Sequence, residues 1–299
     1  MSNFTPNTEG TFRGLPFSQY IAAPGVSQSM LKHMDPPARL PAYIAQKVEP
    51  TEEMILGTLA HSEILEPEKP LPHIVVPPET YPAPHDCTAV KQKKAQPGDP
   101  LNWSWSANYC KRWYAEAVAL DLIVLTQDRL DTLREVIRSV SLHDKAAELF
   151  STGQTEVSVF SAFVGRDWSV LRKCRIDHVP TGNVLGDIKT VPDADPDTFQ
   201  RRLHDDGWAC QAAHYLDLWN EQNPDDWREG FVYVLVEKKA PYIVATYNVG
   251  ARTLDAARTE NERRIRLYHD CQRRNEWPGF ASSWVTVDMK EWDLKKYQP

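Results

Sequence analysis

The chain has 299 residues, 41% hydrophobic and 25% charged, the balance of a globular protein that can bury a sizeable core in one large domain or two small ones. A net charge of −7 counts against a protein that coats nucleic acid over its whole surface, although a local basic lining can coexist with an acidic exterior. No apolar run is long enough to span a bilayer. The opening Met1-Ser-Asn-Phe-Thr-Pro6 lacks the basic start and apolar core of a secretory signal. A cytoplasmic protein with no membrane partner is expected.

Residues 1–24 are polar, contain Gly and Pro, and read as an irregular arm. Ser27 or Ser29 can cap a helix running to about Met34. Pro36, Pro37 and Pro41 break the chain before a short helix over 42–47. A helix is expected over 52–65, with Met54, Leu56, Leu59, Ala60 and Ile64 apolar and His61 among them. Residues 67–84 are Pro-rich and extended, with a short strand at 73–76. Residues 86–105 are rich in Lys and Pro and should be partly mobile. Helices follow over 113–120, over 128–140 with Thr126 as cap, and over 145–150.

The strands come next. Residues 155–164 alternate and pair with 168–179 across Gly165-Arg166-Asp167. A turn at Pro180-Thr181-Gly182-Asn183 leads to a third strand over 184–190. A short helix at 198–203 precedes a longer one at 207–220, in which Trp208, Ala212, Tyr215, Leu216 and Trp219 share a face. Phe231 to Val236 is an unbroken apolar run, suited to a strand buried on both faces. A strand over 242–249 and a long helix over 254–275 complete the order. There is no internal repeat and no linker long enough to separate two domains.

Chemistry concentrates on the second and third strands. Residues two apart on a strand share a face, so Asp187 and Lys189 point the same way. The hairpin brings Asp177 alongside them. Two carboxylates and a lysine then converge, a set that can hold a divalent cation and activate a water near a phosphodiester. The same three residues also suit a solvated hairpin carrying ion pairs. On the helix over 207–220, Gln211 and Tyr215 are four apart and stack as neighbours. Basic clusters at Lys91-Gln-Lys-Lys94, Arg201-Arg202, Arg263-Arg264 and Arg273-Arg274 offer a phosphate-contacting strip. The five cysteines are odd in number and scattered, which argues for free thiols. No Cys-x-x-Cys or His-x-x-x-His pair points to zinc.

Asp177, Asp187-Ile188-Lys189 and Gln211-x-x-x-Tyr215 together resemble the PD-(D/E)XK nuclease superfamily, in the branch carrying a Gln-x-x-x-Tyr helix. Gly57-Thr-Leu-Ala-His61 resembles the Gly-x-x-x-His helix of that branch. The opening Gly25-Val-Ser-Gln-Ser-Met-Leu-Lys-His-Met34, the stretch after Lys189 and Trp277-Pro-Gly279 resemble the RecE/exonuclease VIII-type nucleases of phages and prophages. The likeness runs from about residue 18 to about 285. The proline that names the superfamily is replaced by Ile176, which is not a ligand position.

The resemblance implies an α/β (α+β) fold with a restriction-endonuclease-like αβββαβ core: a mixed central sheet flanked by helices, with a helical N-terminal elaboration. It places a single nuclease domain over 25–299, with the elaboration over 25–150 and the catalytic core over 151–299. It implies Asp177 and Asp187 as metal ligands, joined by the Ile188 carbonyl and by His61. Glu156, which competes with Glu63, would be the additional acid. Lys189 would position or deprotonate the attacking water. Gln211 and Tyr215 would bind the DNA backbone or scissile region. Mg²⁺, or Mn²⁺, is the implied cofactor. Some relatives with the Gln-x-x-x-Tyr helix hold an iron–sulfur cluster through three C-terminal cysteines, but only Cys271 follows Cys210 here, so no cluster is expected. The implied activity is 5′-to-3′ digestion of linear double-stranded DNA in phage-type recombination. A ring-shaped homo-oligomer and a single-strand annealing protein are the implied partners. The rival readings are a restriction or defence endonuclease and a catalytically silent DNA-binding protein.

Overall fold

The computed structural model describes residues 5, 8–46, 50–69, 72–281 and 283–297. Its centre is a six-stranded sheet. The strands are β1 (Gly10–Phe12), β2 (Gly153–Val164), β3 (Ser169–Pro180), β4 (Val184–Val191), β5 (Gly230–Glu237) and β6 (Val244–Asn248), neighbours in that order. All neighbours run antiparallel except β4 and β5, which are parallel with Asp187 opposite Tyr233. The parallel pair requires a crossover. It is made by helix Pro196–Asp205 and helix α3 (Trp208–Gln222), the latter numbered after α1 (Glu52–Leu65) and α2 (Gln127–Leu142). Helix α4 (Ala251–Arg274) closes the fold.

Each face of the sheet is covered, as the apolar run at 231–236 requires. Phe231, Tyr233 and Leu235 of β5 meet Ala212, Leu216 and Trp219 of α3 and Leu254 of α4. Val234 and Val236, on the other face, meet Leu59 and Ala60 of α1 and Val136 of α2. The element order α1, β2–β4, α3, β5 is the expected αβββαβ order, in a mixed α/β fold with a mostly antiparallel central sheet. Helix α1 has the expected bounds because its start is written locally. Thr51 Oγ1 accepts from the Met54 N–H at 3.2 Å, and Glu52 and Glu53 occupy the first turn, where the helix dipole favours negative charge. Helix 108–119 begins earlier than the expected 113 because Ala107 offers no side-chain cap to mark its start.

The irregular arm expected over 1–24 needs correction. Strand β1 extends the sheet edge, with Thr11 opposite Val159, and a helix at Phe17–Ala22 packs Tyr20 edge-on to Phe160. That helix has no capping side chain of its own. Its last carbonyls are satisfied from the sheet, where Lys173 Nζ donates to the Tyr20, Ile21 and Ala23 oxygens at 3.0, 3.2 and 2.6 Å. The signal for this segment is tertiary, so local pattern does not reveal it.

The turn between β3 and β4 is held the same way. Arg228, buried and lying over the Trp219 ring, donates through Nη1 to the Pro180, Gly182 and Val184 carbonyls. No helix among the described residues is long and apolar enough to cross a membrane.

Candidate metal centre

Strands β3 and β4 share one registered pair, His178 with Gly186. Asp177 and Asp187 are the next residues on the open side of that pair, so both carboxylates stand where the two strands part. Helix α1 delivers His61 to the same gap. Gly57, one turn earlier, suits this approach: a Cβ there would lie 3.2 Å from Thr190 Oγ1 on β4, a tight contact that would need a small shift of the neighbour.

His61 Nε2 lies 2.8 Å from Asp177 Oδ2, and Nδ1 lies 3.4 Å from Glu156 Oε1. Ligand atoms of His61, Glu156 and Asp177 all fall within 4.8 Å of one another. Glu156 reaches this position through an unusual backbone. Its φ is +55°, inside a strand, and it interrupts the ladder between the Thr155–His178 and Val157–Ile176 pairs, directly opposite Asp177. A non-glycine residue held in the left-handed region costs on the order of 1–3 kcal/mol, and such residues cluster at functional sites. The other Glu156 oxygen pairs with Arg175 Nε.

Asp187 is wholly buried but is not drawn into that cluster. Lys189 Nζ lies 2.7 Å from its Oδ1 and 2.9 Å from Oδ2, and Gln211 Nε2 donates to Oδ2 at 2.6 Å. Oδ1 has no geometrically sound hydrogen bond despite its burial. The Lys189 ammonium also lies over the Tyr233 ring, 5.9 Å from its centroid. The Ile188 N–H bonds to Asp177. In an extended strand the carbonyl of the same residue faces the same edge.

The charges are strongly coupled. Burial alone would lower the His61 pKa, but the Asp177 carboxylate, with Glu156 behind it, holds it at about 9. Burial would raise Asp177, yet the charges of His61 and Lys189 keep it below the usual carboxylate range. Asp187 is pushed up, first by burial and then by the charge of Asp177. Burial disfavours the Lys189 ammonium, but Asp187 and Asp177 more than compensate, so its pKa is raised. This is the pattern of a site short of positive charge.

A cavity of about 630 Å³ opens beside the cluster, lined by Glu53, Gly57, His61, Lys189, Thr190 and Lys238 among others. A larger cleft of about 1330 Å³ is lined by none of the residues discussed above as ligands or catalytic candidates. Volume is therefore a poor guide here, and the convergence of titratable groups is the better one.

The structure thus brings His61, Glu156 and Asp177 together, and sets Asp187, Lys189 and Gln211 as a second group beside them. Glu63 is not in the three-residue cluster. Tyr215 packs edge-on against Phe231, and burial pushes its phenol pKa up, so its ring serves the floor beneath the site. Of the basic pairs, Arg263 and Arg264 are taken up by Asp35 and Glu260, which leaves little of that segment for phosphates. Arg175 was missed in the sequence. It shares a strand face with Asp177, two residues on, so alternation could have found it.

Residues 27–283 match the family described as a PDDEXK-like domain of unknown function (DUF3799). Among solved structures, a protein from Eubacterium rectale described as a candidate exonuclease superposes over 93% of this chain and 95% of its own, with a TM-score of 0.52 at 14% identity. That likeness is one of fold. The structure of SSO0001 aligns over 57% of this chain and 72% of its own at 17% identity, with a TM-score of 0.30, too low to bear on the fold. No curated protein matches the chain.

Proposed function

Because the chain belongs to the PDDEXK-like family DUF3799, we propose that it is a metal-dependent deoxyribonuclease acting on linear double-stranded DNA. The observation that carries this reading is the approach of His61, Glu156 and Asp177 to within 4.8 Å of one another, beside the buried Asp187–Lys189 pair. Residues 25–299 act in this reading as one nuclease domain.

The donor set fits a divalent cation. One imidazole nitrogen and carboxylate oxygens suit Mg²⁺ or Mn²⁺, and the imidazole favours Mn²⁺ in affinity. The Ile188 carbonyl at that strand edge supports the same fit, and Asp187, already paired with Lys189, is a further carboxylate beside it. His61, Glu156, Asp177, Asp187 and the Ile188 carbonyl would hold the ion. When bound, it supplies a water of lowered pKa and polarises a phosphodiester oxygen. The remaining work belongs to the chain. Lys189, kept charged by Asp187, positions the attacking water and offsets charge that builds on the phosphate. Gln211 fixes the Asp187 carboxylate through a 2.6 Å bond and stands ready to donate to the scissile phosphate. Tyr215, one turn along α3, braces it. Arg175 positions Glu156 without touching the reacting atoms.

The presence of Asp177, Asp187 and Lys189 together favours an enzyme over a silent DNA-binding protein. The motif resemblance to RecE-type nucleases supports attack from 5′ ends, a ring-shaped oligomer and service to an annealing partner. The test is hydrolysis of end-labelled linear duplex beside covalently closed circular duplex, with Mg²⁺ or Mn²⁺ and with EDTA. Linear DNA should be degraded from its 5′ ends, the closed circle should survive, and EDTA should abolish the reaction. Cleavage of the closed circle would transfer the protein to the endonucleases. Full activity in EDTA, or no hydrolysis of any duplex, would overturn the proposal.

A further inference from the structure

Between α1 and α2 the chain makes an excursion over 72–125 that returns to its own base. Ile74–Val75 pairs in parallel with Ile123–Val124, and Ile74 and Ile123 pack on the core behind the His61 helix. Beyond this neck, Thr80–Pro82 pairs with Pro100–Asn102, and helix Asn108–Ala119 lies against them.

The interior of the excursion is small, and an aromatic relay leads out of it. Tyr81 is buried and stacks on Tyr109 at 5.4 Å. Trp103 meets Trp113 edge-on at 5.2 Å and Trp105 edge-on at 5.7 Å. Trp105 meets Tyr114 edge-on at 5.9 Å. The two outermost rings, Trp105 and Tyr114, are 46% and 45% exposed. Trp105 is braced by Trp103 and Tyr114 by Trp105, so they present aromatic surface that loses little freedom when covered.

The same excursion carries exposed cations. Lys111, three residues before Tyr114 on the same helix, is its neighbour along the helix surface. Lys91, Lys93, Lys94, Lys111 and Arg112 are all exposed, and none forms an ion pair among the described residues. Their state contrasts with Arg263 and Arg264, whose charges are already answered by Asp35 and Glu260. Exposed rings for base stacking, with free ammonium groups for phosphates, are the two components of a sequence-tolerant single-strand surface. Duplex DNA keeps its base faces stacked and cannot use the rings.

We infer that the excursion binds single-stranded DNA, with bases stacking on Trp105 and Tyr114 and phosphates answered by Lys111. The choice of DNA rests on the nuclease reading; the stacking and charge argument does not. Such a surface would retain the strand that digestion of a duplex leaves behind.

The test uses the full chain in EDTA, so that no strand is hydrolysed, and the anisotropy of a labelled oligo(dT) of about 20 nucleotides. The wild type should bind it more tightly than a blunt duplex of equal length. Trp105→Ala and Tyr114→Ala should each weaken binding at least about fivefold, while Trp105→Phe and Tyr114→Phe retain most of it. Lys111→Ala should flatten the dependence of binding on salt by somewhat less than one phosphate contact. Circular dichroism and melting temperature identify any variant that misfolds, and the Phe and Lys111 variants then decide the matter. Equal binding by wild type and Ala variants, or no single-strand binding by the wild type, overturns the inference, whether the rings instead meet a protein partner or none. Cleavage of duplex with Mn²⁺ separates the two readings. A chain that cleaves but does not bind oligo(dT) keeps its nuclease assignment and loses this one; a chain that binds but never cleaves does the reverse.

Discussion

Asp187 and Asp177 are chemically identical and physically opposite. Asp177 is held ionised by His61 and Lys189, whereas Asp187, buried more deeply, resists ionisation next to a charged neighbour. Replacing Asp187 by Asn keeps the acceptor for Lys189 but removes charge from a crowded site. Cleavage by Asp187→Asn or Lys189→Ala should fall by about 10²-fold or more, as when one charge-stabilising group is lost. Thermal stability of Asp187→Asn should be unchanged or higher, and steady-state hydrolysis beside a melting curve checks both halves. Near-normal hydrolysis would return the hairpin to an ordinary ion-paired surface. His61 makes a separate prediction for the metal-free protein. Its folded pKa, about 9, lies above the ordinary 6.5. The stabilisation it brings is therefore complete below pH 6.5 and fades as pH rises through 9. The melting temperature of the wild type should exceed that of His61→Gln at pH 6 and converge on it by about pH 9.5. A gap that ignores pH would show that His61 and Asp177 do not share a proton.

At the level of elements, the site depends on how closely α1 lies to β4. Gly57 is unfavourable inside a helix, costing about 1 kcal/mol relative to Ala. A Cβ at this position would press Thr190 Oγ1 at 3.2 Å, so Gly57→Ala gains helix propensity and loses fit. Its stability should change by less than about 1 kcal/mol, while its activity drops because His61, one turn away, is displaced from Asp177. Combining Gly57→Ala with Thr190→Ala should remove the crowding and recover much of the lost rate. A double variant no better than the single one would mean that Gly57 serves some purpose other than spacing. Loss of fold in the single variant would equally defeat the argument. The splay of β3 from β4 is the matching feature on the sheet side, and Arg228 closes the turn at its other end.

Across the whole molecule, the parts legible from sequence are those written in local pattern. The run at 231–236 shows a doubly covered strand, Thr51 and two glutamates mark the start of α1, and Asp-x-Lys alternation puts Asp187 and Lys189 on one face. Glu156 is named only through the family resemblance; its place opposite Asp177 depends on the exact register, Val164 against Ser169, and its positive φ on the structure. Long-range support was not legible: Lys173 reaching back to residue 20, Arg228 gathering the carbonyls of a turn some 45 residues earlier, and Arg175 behind Glu156. The Lys173 and Arg228 contacts have neither period nor spacing, and the alternation that puts Arg175 on the face of Asp177 does not name Glu156 as its partner. His214 belongs with them. It lies buried in α3 with Nε2 3.2 Å from the Lys173 carbonyl and Nδ1 unpartnered, and burial lowers its pKa to about 3. The unfolded chain takes up a proton at about 6.5 that the folded one refuses, so stability is intact above pH 6.5 and is lost as pH falls toward 3. Acid unfolding of the wild type should outpace that of His214→Gln below pH 6.5, by at most about 1.4 kcal/mol per pH unit. Parallel stability curves for the two proteins would exclude His214 as a cause of acid sensitivity.

The first two dozen residues have a consequence for the centre that their distance in sequence conceals. Arg175 Nη1 donates to the Leu15 carbonyl at 2.7 Å and its guanidinium lies over the Phe17 ring, while Nε holds Glu156. Lys173, almost fully buried, has its three carbonyl acceptors on residues 20, 21 and 23. Release of residues 15–23 would take the Leu15 carbonyl and the Phe17 ring from Arg175, which keeps Ser158 Oγ at 3.1 Å and Glu156, and would leave the Lys173 charge stranded in the interior. The segment is a buttress, and a protease that removed it would loosen the ground beneath Glu156 and Asp177 without touching either side chain.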